Sequence, residues 1–366
     1  MLSTPGENRL SAQLVSLAKS VALITVALFS LQSNPKAQAV GGGIELTAEQ
    51  LAEAPEFSVP VDCDFDTTCF VQHYFDHGPG SRTQDHFCSG LTYNNHRGID
   101  IRTTTLEQME QGVNVIAAAE GEVIIVRDGV TDRALNQREV NEFLTNSGLV
   151  LKSNQVVIRH SRNWYSLYGH LKKGTVAVKK GQRVRRGQPL GEIGLSGSTS
   201  FPHLHFGVMF NNRVIDPFTA REDDAGCQQP ARQSLWTEAA EAILTKRKVG
   251  ILNAGFSDRV EGIDDLKTKP LLSRSQTLTS TQQITFWSGH WGTQKGDHIT
   301  LEIHQPDGQI ARVSSVAEES RVNGYHFLTL PLPPSGQQAS GRYVGVFSIL
   351  RGKKVVASIT RGAVVP

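Results

Sequence analysis

Three short segments, far apart in the chain, carry histidine and aspartate side chains of the types that bind metal ions and transfer protons. The segments are His96-Arg97-Gly98-Ile99-Asp100, Tyr168-Gly169-His170-Leu171 and Phe201-Pro202-His203-Leu204-His205-Phe206. Two imidazoles and one carboxylate, with a fourth position left open, are what a catalytic zinc ion needs, and the remaining histidines can transfer protons beside it. The segments therefore point to zinc-dependent chemistry.

Strands are the elements that must position these side chains. Leu204, Phe206 and Val208 alternate with His203 and His205, which is typical of a strand whose two histidines share one face. A strand-like run also follows Gly98, and another run, starting near residue 156, ends at residue 168 just before His170. We therefore expect the three segments to meet where neighbouring strands begin or end.

Taken together, the segments resemble the LytM/lysostaphin-type zinc endopeptidases, which cleave the peptide part of bacterial peptidoglycan. The resemblance covers roughly residues 85–220, and it is carried by residues 95–100, 120–124, 156–171, 180–188 and 191–206. It implies a mainly β fold, with an antiparallel-sheet peptidase domain that binds zinc. A C-terminal β-sandwich domain is predicted to follow.

The resemblance also assigns roles to individual residues. It implies that His96, Asp100 and His205 bind one Zn²⁺ per chain, and that His170 and His203 are the catalytic histidines. Zinc held in this way keeps a position for water and lowers the pKa of that water. The sequence has no His-Glu-x-x-His motif to supply a glutamate base, so the two histidines are the available proton-transfer groups. The division of roles between them stays open.

The N-terminus has the pattern of a signal peptide. Arg9 and Lys19 precede an uncharged apolar run, and Ala37-Gln38-Ala39 offers the small residues that signal peptidases accept. We predict a signal peptide over residues 1–39 and a mature chain that is exported to the periplasm or the cell exterior. An uncleaved anchor is the alternative, but the run has about a dozen residues, against the roughly 20 needed to span hydrocarbon. We expect no stable membrane span after cleavage.

Export agrees with the four cysteines, which flank the predicted peptidase domain and are even in number: Cys63, Cys69, Cys88 and Cys227. We expect disulfides, with the connectivity open among three arrangements, although the first two cysteines are near enough to close a small loop. The predicted extension over residues 40–84 also holds His73 and His77, and His86 follows it. A plain structural role is expected for these histidines, and a segment that closes over the zinc in a latent form is the alternative.

The formal net charge of +2 gives no reason to expect nucleic-acid binding. A basic cluster does occur over residues 172–186, and it could attract an anionic cell-wall polymer, but solvated turns are the simpler interpretation.

The segment over residues 128–154 is longer and more polar than a hairpin requires, and residues 132–144 could form a short helix.

Beyond the peptidase domain, predicted over 85–220, the sequence changes character. Residues 221–249 form a predicted connector with a helix over 234–248. Short alternating runs separated by turn signals then predict an Ig-like β-sandwich over residues 250–366. Trp287 and Trp291 in this part could stack on sugars, although burial in the core is the commoner role of tryptophan in a sandwich. The sandwich is a candidate for contact with glycan or protein.

The sequence thus predicts an exported zinc metalloendopeptidase that hydrolyses cross-links or stem peptides of peptidoglycan. One alternative is a non-catalytic or latent scaffold that activates other cell-wall hydrolases. A second alternative is an exported peptidase that acts on Gly-rich proteins. All five positions expected from the resemblance are filled, which favours an enzyme.

Overall fold

The predicted strand with the two histidines lies near the middle of an eight-stranded sheet in a computed structural model. The structure describes residues 46–135, 152–222, 226–228, 233–246, 248–259, 275–278, 282–332 and 340–366. The predicted signal peptide lies outside the described residues, as does most of the helix predicted over 132–144. The described part of that helix, residues 132–135, is not helical.

All strand pairs in this main sheet are antiparallel. Its strands are β2 (Cys69–His73), β3 (Ile99–Thr103), β5 (Gly121–Arg127), β6 (Gln155–Arg159), β7 (Trp164–Gly169), β8 (Arg183–Val184), β10 (His203–Phe210) and β11 (Arg213–Ile215). The order is β2-β3-β10-β7-β6-β5-β8, and β11 pairs with β10. A smaller sheet contains β1 (Val61–Asp62), β4 (Asn114–Ile116) and β9 (Pro189–Glu192).

The alternation of β10 decides which face of the main sheet is buried in the core. Leu204, Phe206 and Val208 are fully buried and pack in one cluster with residues from both sheets, such as Ile158 of β6 and Leu190 of β9. Because successive side chains of a strand point to opposite faces, His203 and His205 lie on the other side. The predicted strand and its two faces are confirmed.

Among the residues that the structure describes, three short helices begin at threonine caps. They are α1 (Ala48–Ala52), α2 (Leu106–Gln111) and α3 (Glu238–Leu244). The third is shorter than the helix predicted over 234–248, because the Thr237 side chain accepts a hydrogen bond from the Ala240 N–H and so fixes the start of the helix. The helices of the described residues are too short or too polar to cross a membrane.

The C-terminal part consists of two sheets that pack face to face. One contains β12 (Gly250–Ser257), β14 (Gln283–Thr293) and β17 (Arg321–Pro331), and the other contains β13 (Ser275–Thr277), β15 (His298–His304), β16 (Ile310–Val316), β18 (Gly341–Arg351) and β19 (Lys354–Val365). Phe286 of one sheet and Phe347 of the other are fully buried in their shared core. The predicted β-sandwich is confirmed. Trp287 and Trp291 are both buried, so neither presents an open face to a sugar.

Two disulfides are present, as the cysteine count predicted. Cys63 bonds to Cys69, and Cys88 bonds to Cys227.

The sandwich contacts the main sheet directly, since Trp291 stacks on Phe70 of β2 with ring centroids 4.1 Å apart and planes 5° apart. No strand was predicted over residues 40–84, but β2 is one of the strands of the main sheet.

Candidate metal centre

Three neighbouring strands bring the predicted site residues together. In the antiparallel register His205 of β10 lies opposite Asp100 of β3 on one side and opposite Gly169 of β7 on the other. His96 comes just before β3, and His170 comes just after β7. The three sequence segments therefore converge as expected, at the point where β3 begins and β7 ends.

His96, Asp100 and His205 surround a common point. Asp100 Oδ1 lies 3.1 Å from His96 Nε2 and 2.9 Å from His205 Nδ1, and the two nitrogens are 3.3 Å apart. One ligand atom from each residue lies within 4.8 Å of the others. His96 and Asp100 are each 1% exposed, and His205 is 12% exposed. Two imidazole nitrogens and one carboxylate oxygen form a donor set that can hold a metal ion.

Backbone contacts orient these donors. The Tyr74 carbonyl lies 2.7 Å from His96 Nδ1, so Nδ1–H donates a hydrogen bond to it and Nε2 is free to bind a metal ion. Gly98 allows β10 to approach closely, because a Cβ atom at this position would lie 2.6 Å from the Phe206 oxygen and 2.7 Å from the His205 ring. A side chain at residue 98 would therefore displace His205.

His170 and His203 lie beside this group, with ring centroids 4.5 Å apart. His170 Nδ1 donates to the Ser196 carbonyl at 2.7 Å, and His203 Nδ1 donates to the Phe201 carbonyl at 3.0 Å. In both rings Nε2 is therefore the atom left for proton transfer. His203 Nε2 lies 3.5 Å from Asp100 Oδ1.

The turn after β7 is made by His170 itself. Its φ is +61°, in the left-handed region. Non-glycine residues adopt such a conformation at a cost that the surrounding structure must offset, and they are frequent at functional sites. The conformation places the imidazole at the end of the sheet, beside β10.

Burial and neighbouring charges set the protonation of the site. Burial alone would raise the pKa of Asp100, but the neighbouring imidazole of His96 and hydrogen bonds from His205 and His73 hold that pKa well below its usual value.

Burial, reinforced by the charge of His205, lowers the pKa of His170 to about 4. Burial also lowers the pKa of His203 well below its usual value. Both imidazoles are therefore neutral at neutral pH, and the neutral form can accept a proton.

The contact of His73 with Asp100 was not predicted from the sequence. His73 is the last residue of β2, and its Nδ1 lies 2.9 Å from Asp100 Oδ2. The other two histidines of that region lie elsewhere: His77 bonds to Asp216 at 2.8 Å, and His86 stacks on Phe218. The one sequence signal for His73 is an imidazole at the end of the short apolar run after Cys69.

Two further polar side chains of this part of the chain, Tyr168 and His160, lie away from the centre. Tyr168 is fully buried under the sheet, where its hydroxyl accepts a hydrogen bond from the Ala118 N–H at 2.8 Å, and burial raises its pKa to about 12. His160 contacts the Glu120 carbonyl and the Ser166 hydroxyl. Both contacts support a structural role for these two side chains.

Known proteins resemble the part of the chain that contains this centre. Peptidoglycan DD-endopeptidase ShyC of Vibrio cholerae is 29% identical over 138 residues, which are 38% of this chain and 27% of that protein. Murein hydrolase activator EnvC of Escherichia coli is 35% identical over 104 residues, 28% of this chain and 22% of that protein. The matched segments are thus about a quarter of each relative's length.

A solved structure, described as a zinc-containing peptidase from Vibrio cholerae, aligns with 48% of this chain and 41% of its own. The identity is 25% and the TM-score is 0.30. The model of peptidase family M23 matches residues 94–217, which include all five predicted site residues. The resemblance inferred from the sequence is therefore confirmed, and residues 94–217 of this chain are a LytM-type domain of peptidase family M23.

Proposed function

We propose that this chain is an exported, zinc-dependent endopeptidase that hydrolyses peptide bonds in peptidoglycan. The observation that carries the proposal is the convergence of His96, Asp100 and His205 on one buried point, beside two neutral histidines. A family match alone would leave open whether the site is intact. The three side chains and the contact that orients His96 support an intact site.

The donor set fits zinc. Two imidazole nitrogens and one carboxylate oxygen are the ligands of many catalytic zinc sites, in which a fourth position stays open. His96, Asp100 and His205 would hold the ion. A zinc ion bound there supplies Lewis-acid activation of water and of a peptide carbonyl.

The other residues of the site would transfer protons and orient groups. His170 and His203 are neutral, and each has Nδ1 engaged by a backbone carbonyl, so each can accept a proton at Nε2. The same imidazole, once protonated, can donate that proton to the leaving amine. The two rings lie 4.5 Å apart and can titrate as a coupled pair, so the proposal assigns proton transfer to the pair.

Two observations support export and a peptidoglycan substrate. The two disulfides are typical of proteins that fold in an oxidising compartment, which agrees with the predicted signal peptide over residues 1–39. The substrate is suggested by the similarity to a peptidoglycan DD-endopeptidase. We propose the periplasm or the cell exterior as the site of action.

A scaffold that activates other cell-wall hydrolases is the second candidate, because the M23 domain is also similar to a murein hydrolase activator. The complete donor set weighs against this candidate, since an activator has no need of five converging side chains. A peptidase acting on Gly-rich proteins is a third candidate. The digestion experiment described next distinguishes it from the other two.

The test is digestion of purified sacculi by the mature chain from Val40, with zinc supplied, followed by mass spectrometry of the released fragments. The proposal predicts zinc-dependent loss of cross-linked dimers, abolished by a chelator and by His203→Ala. No new fragments, despite one zinc bound per chain, would reject the peptidoglycan substrate. Cleavage of Gly-rich peptides would then favour the third candidate, and stimulation of an added hydrolase would favour the activator.

A further inference from the structure

Asp100 receives hydrogen bonds or close contacts from four imidazoles, and they divide between its two oxygens. His96, His203 and His205 approach Oδ1 at 3.1, 3.5 and 2.9 Å. His73 Nδ1 approaches Oδ2 at 2.9 Å. Because an ionised carboxylate can only accept, His73 donates its Nδ1–H to the oxygen that faces away from the other three rings.

An irregularity in strand pairing places His73 at this position. Val71 of β2 lies opposite Ile101 of β3, so a regular antiparallel register would put Gln72 opposite Asp100. The register instead shifts by one residue, and His73 lies opposite Asp100. The Gln72 side chain then accepts a hydrogen bond from Arg102 at 2.8 Å. Bulges of this kind often re-aim a side chain next to an active site.

Tyr74, the residue after His73, orients His96, which is a second candidate ligand. The Tyr74 carbonyl accepts the Nδ1–H of His96 at 2.7 Å. Two consecutive residues at the end of β2 therefore hold two different candidate ligands, His73 through its side chain and Tyr74 through its backbone. In metal sites such outer partners fix the orientation of the ligands and raise metal affinity.

β2 is itself anchored at its other end. Cys69 is tied to Cys63 by a disulfide, and Phe70 stacks on Trp291 of the C-terminal sandwich. These contacts restrain the start of the strand, and its pairing with β3 restrains the end at which His73 lies opposite Asp100.

We infer that His73 is a positioning residue of the candidate metal centre, which holds Asp100 Oδ2 so that Oδ1 stays directed at His96 Nε2 and His205 Nδ1. The inference rests on the proposed zinc site and extends it to a strand that lies outside the matched family domain. His73 contacts the outer oxygen of Asp100, so it acts through that carboxylate.

The test is zinc affinity, measured by competition with a chromophoric chelator, for the wild type and three variants. His73→Ala should weaken zinc binding about 10- to 100-fold. In His73→Asn the amide nitrogen takes the place of Nδ1, so most of the affinity should return. His73→Gln reaches the place of Nε2, and its affinity should stay low.

His160→Ala is the matched control, because it also removes a largely buried imidazole with two hydrogen-bond partners, outside the metal centre. It should lower the unfolding temperature and leave zinc affinity unchanged. Unfolding of the chelated variants shows whether each is folded. If the His73→Ala variant does not fold, the positioning role is tested by the difference in zinc affinity between His73→Asn and His73→Gln.

The outcomes separate this inference from the proposed function. A wild-type chain that binds no zinc would overturn both. A wild type that binds zinc, with equal affinity in His73→Ala, would overturn the positioning role alone. Faster turnover in His73→Ala would also overturn it, because that result would mean that His73 blocks the centre.

Discussion

Two pairs of histidines in this molecule bring imidazole nitrogens to nearly the same separation, but their surroundings differ. His96 Nε2 and His205 Nδ1 are 3.3 Å apart in the main sheet, and His290 Nε2 and His326 Nε2 are 3.1 Å apart in the sandwich. In the main sheet, Asp100 Oδ1 bonds to both rings. Two imidazoles that lie close together therefore do not by themselves form a cation-binding site.

The sandwich pair lacks the charge compensation that Asp100 provides. The negative charge of Asp297 acts on His290. However, both oxygens of Asp297 accept hydrogen bonds from the Arg351 guanidinium, Oδ1 at 2.9 Å and Oδ2 at 2.8 Å. His290 Nδ1 is buried and has no hydrogen-bond partner among the described residues. A carboxylate already neutralised by a guanidinium cannot balance a dication. We therefore expect zinc at the first pair and none at the second.

The largest effect is expected from removing the charge of the first site. Asp100→Asn should weaken zinc binding by more than about 100-fold, beyond the loss expected from an outer partner, and abolish hydrolysis. Asp297→Asn is the matched control, because it neutralises a carboxylate that is bound by Arg351. It should leave zinc content at one ion per chain. Zinc retained in Asp100→Asn, measured by elemental analysis after dialysis, would remove Asp100 from the donor set.

A large kinetic effect without metal loss is expected at His203. His203→Ala should keep zinc bound and reduce turnover by about 10²- to 10⁴-fold, because a proton-transfer group is lost while the three donors remain. The same substitution at His326 of the sandwich should change neither quantity. Fragment release and zinc content are measured on the same samples. Loss of zinc from His203→Ala equal to that from His96→Ala would show that the division of roles is wrong.

An intermediate effect is expected from the close approach of β3 and β10. Gly98→Ala should cost about 1–3 kcal/mol of unfolding free energy and weaken zinc binding, because the new Cβ meets the Phe206 oxygen and the His205 ring. Gly90→Ala is the control, since a Cβ there meets nothing within 4 Å. Urea unfolding with and without zinc measures both effects. Equal stability of the two variants would contradict the packing described for residue 98.

The smallest effect concerns the sandwich pair and pH. Burial, with the charge of His326, lowers the pKa of His290 to about 3. The folded state therefore resists protonation that the unfolded chain accepts, and His290 makes stability fall as pH drops from about 6.5 toward 3. The slope has an upper limit of about 1.4 kcal/mol per pH unit.

Replacing the imidazole tests this pH dependence. His290→Phe should make the loss of stability between pH 7 and pH 5 smaller than in the wild type, as measured by urea unfolding of the chelated protein. An equally steep loss in the variant would mean that His290 does not contribute to the pH dependence.

Much of the metal centre could be predicted from sequence because its residues have distinctive spacing. The alternation in β10 fixed the shared face of His203 and His205, and the resemblance named Asp100 and His96 before any strand order was known. The strands of the sandwich were also predictable where apolar alternation was clear, as in β14 and β18.

The missing parts depend on contacts between distant segments. His73 reaches Asp100 only through the pairing of β2 with β3 and a one-residue register shift, and no local pattern encodes that shift. The stacking of Trp291 on Phe70 joins residues of the sandwich and the main sheet that are far apart in the chain. The pairing of Cys88 with Cys227 likewise needed the fold, since spacing alone allows three connectivities.

The proposed metal centre can be tested by equilibrium dialysis against zinc, with wild type, His205→Ala and His326→Ala compared at equal concentration. We expect one zinc ion per chain in the wild type and in His326→Ala, and none in His205→Ala. Two ions in the wild type, or loss of zinc from His326→Ala, would contradict this expectation, because the sandwich pair would then bind metal without a carboxylate of its own.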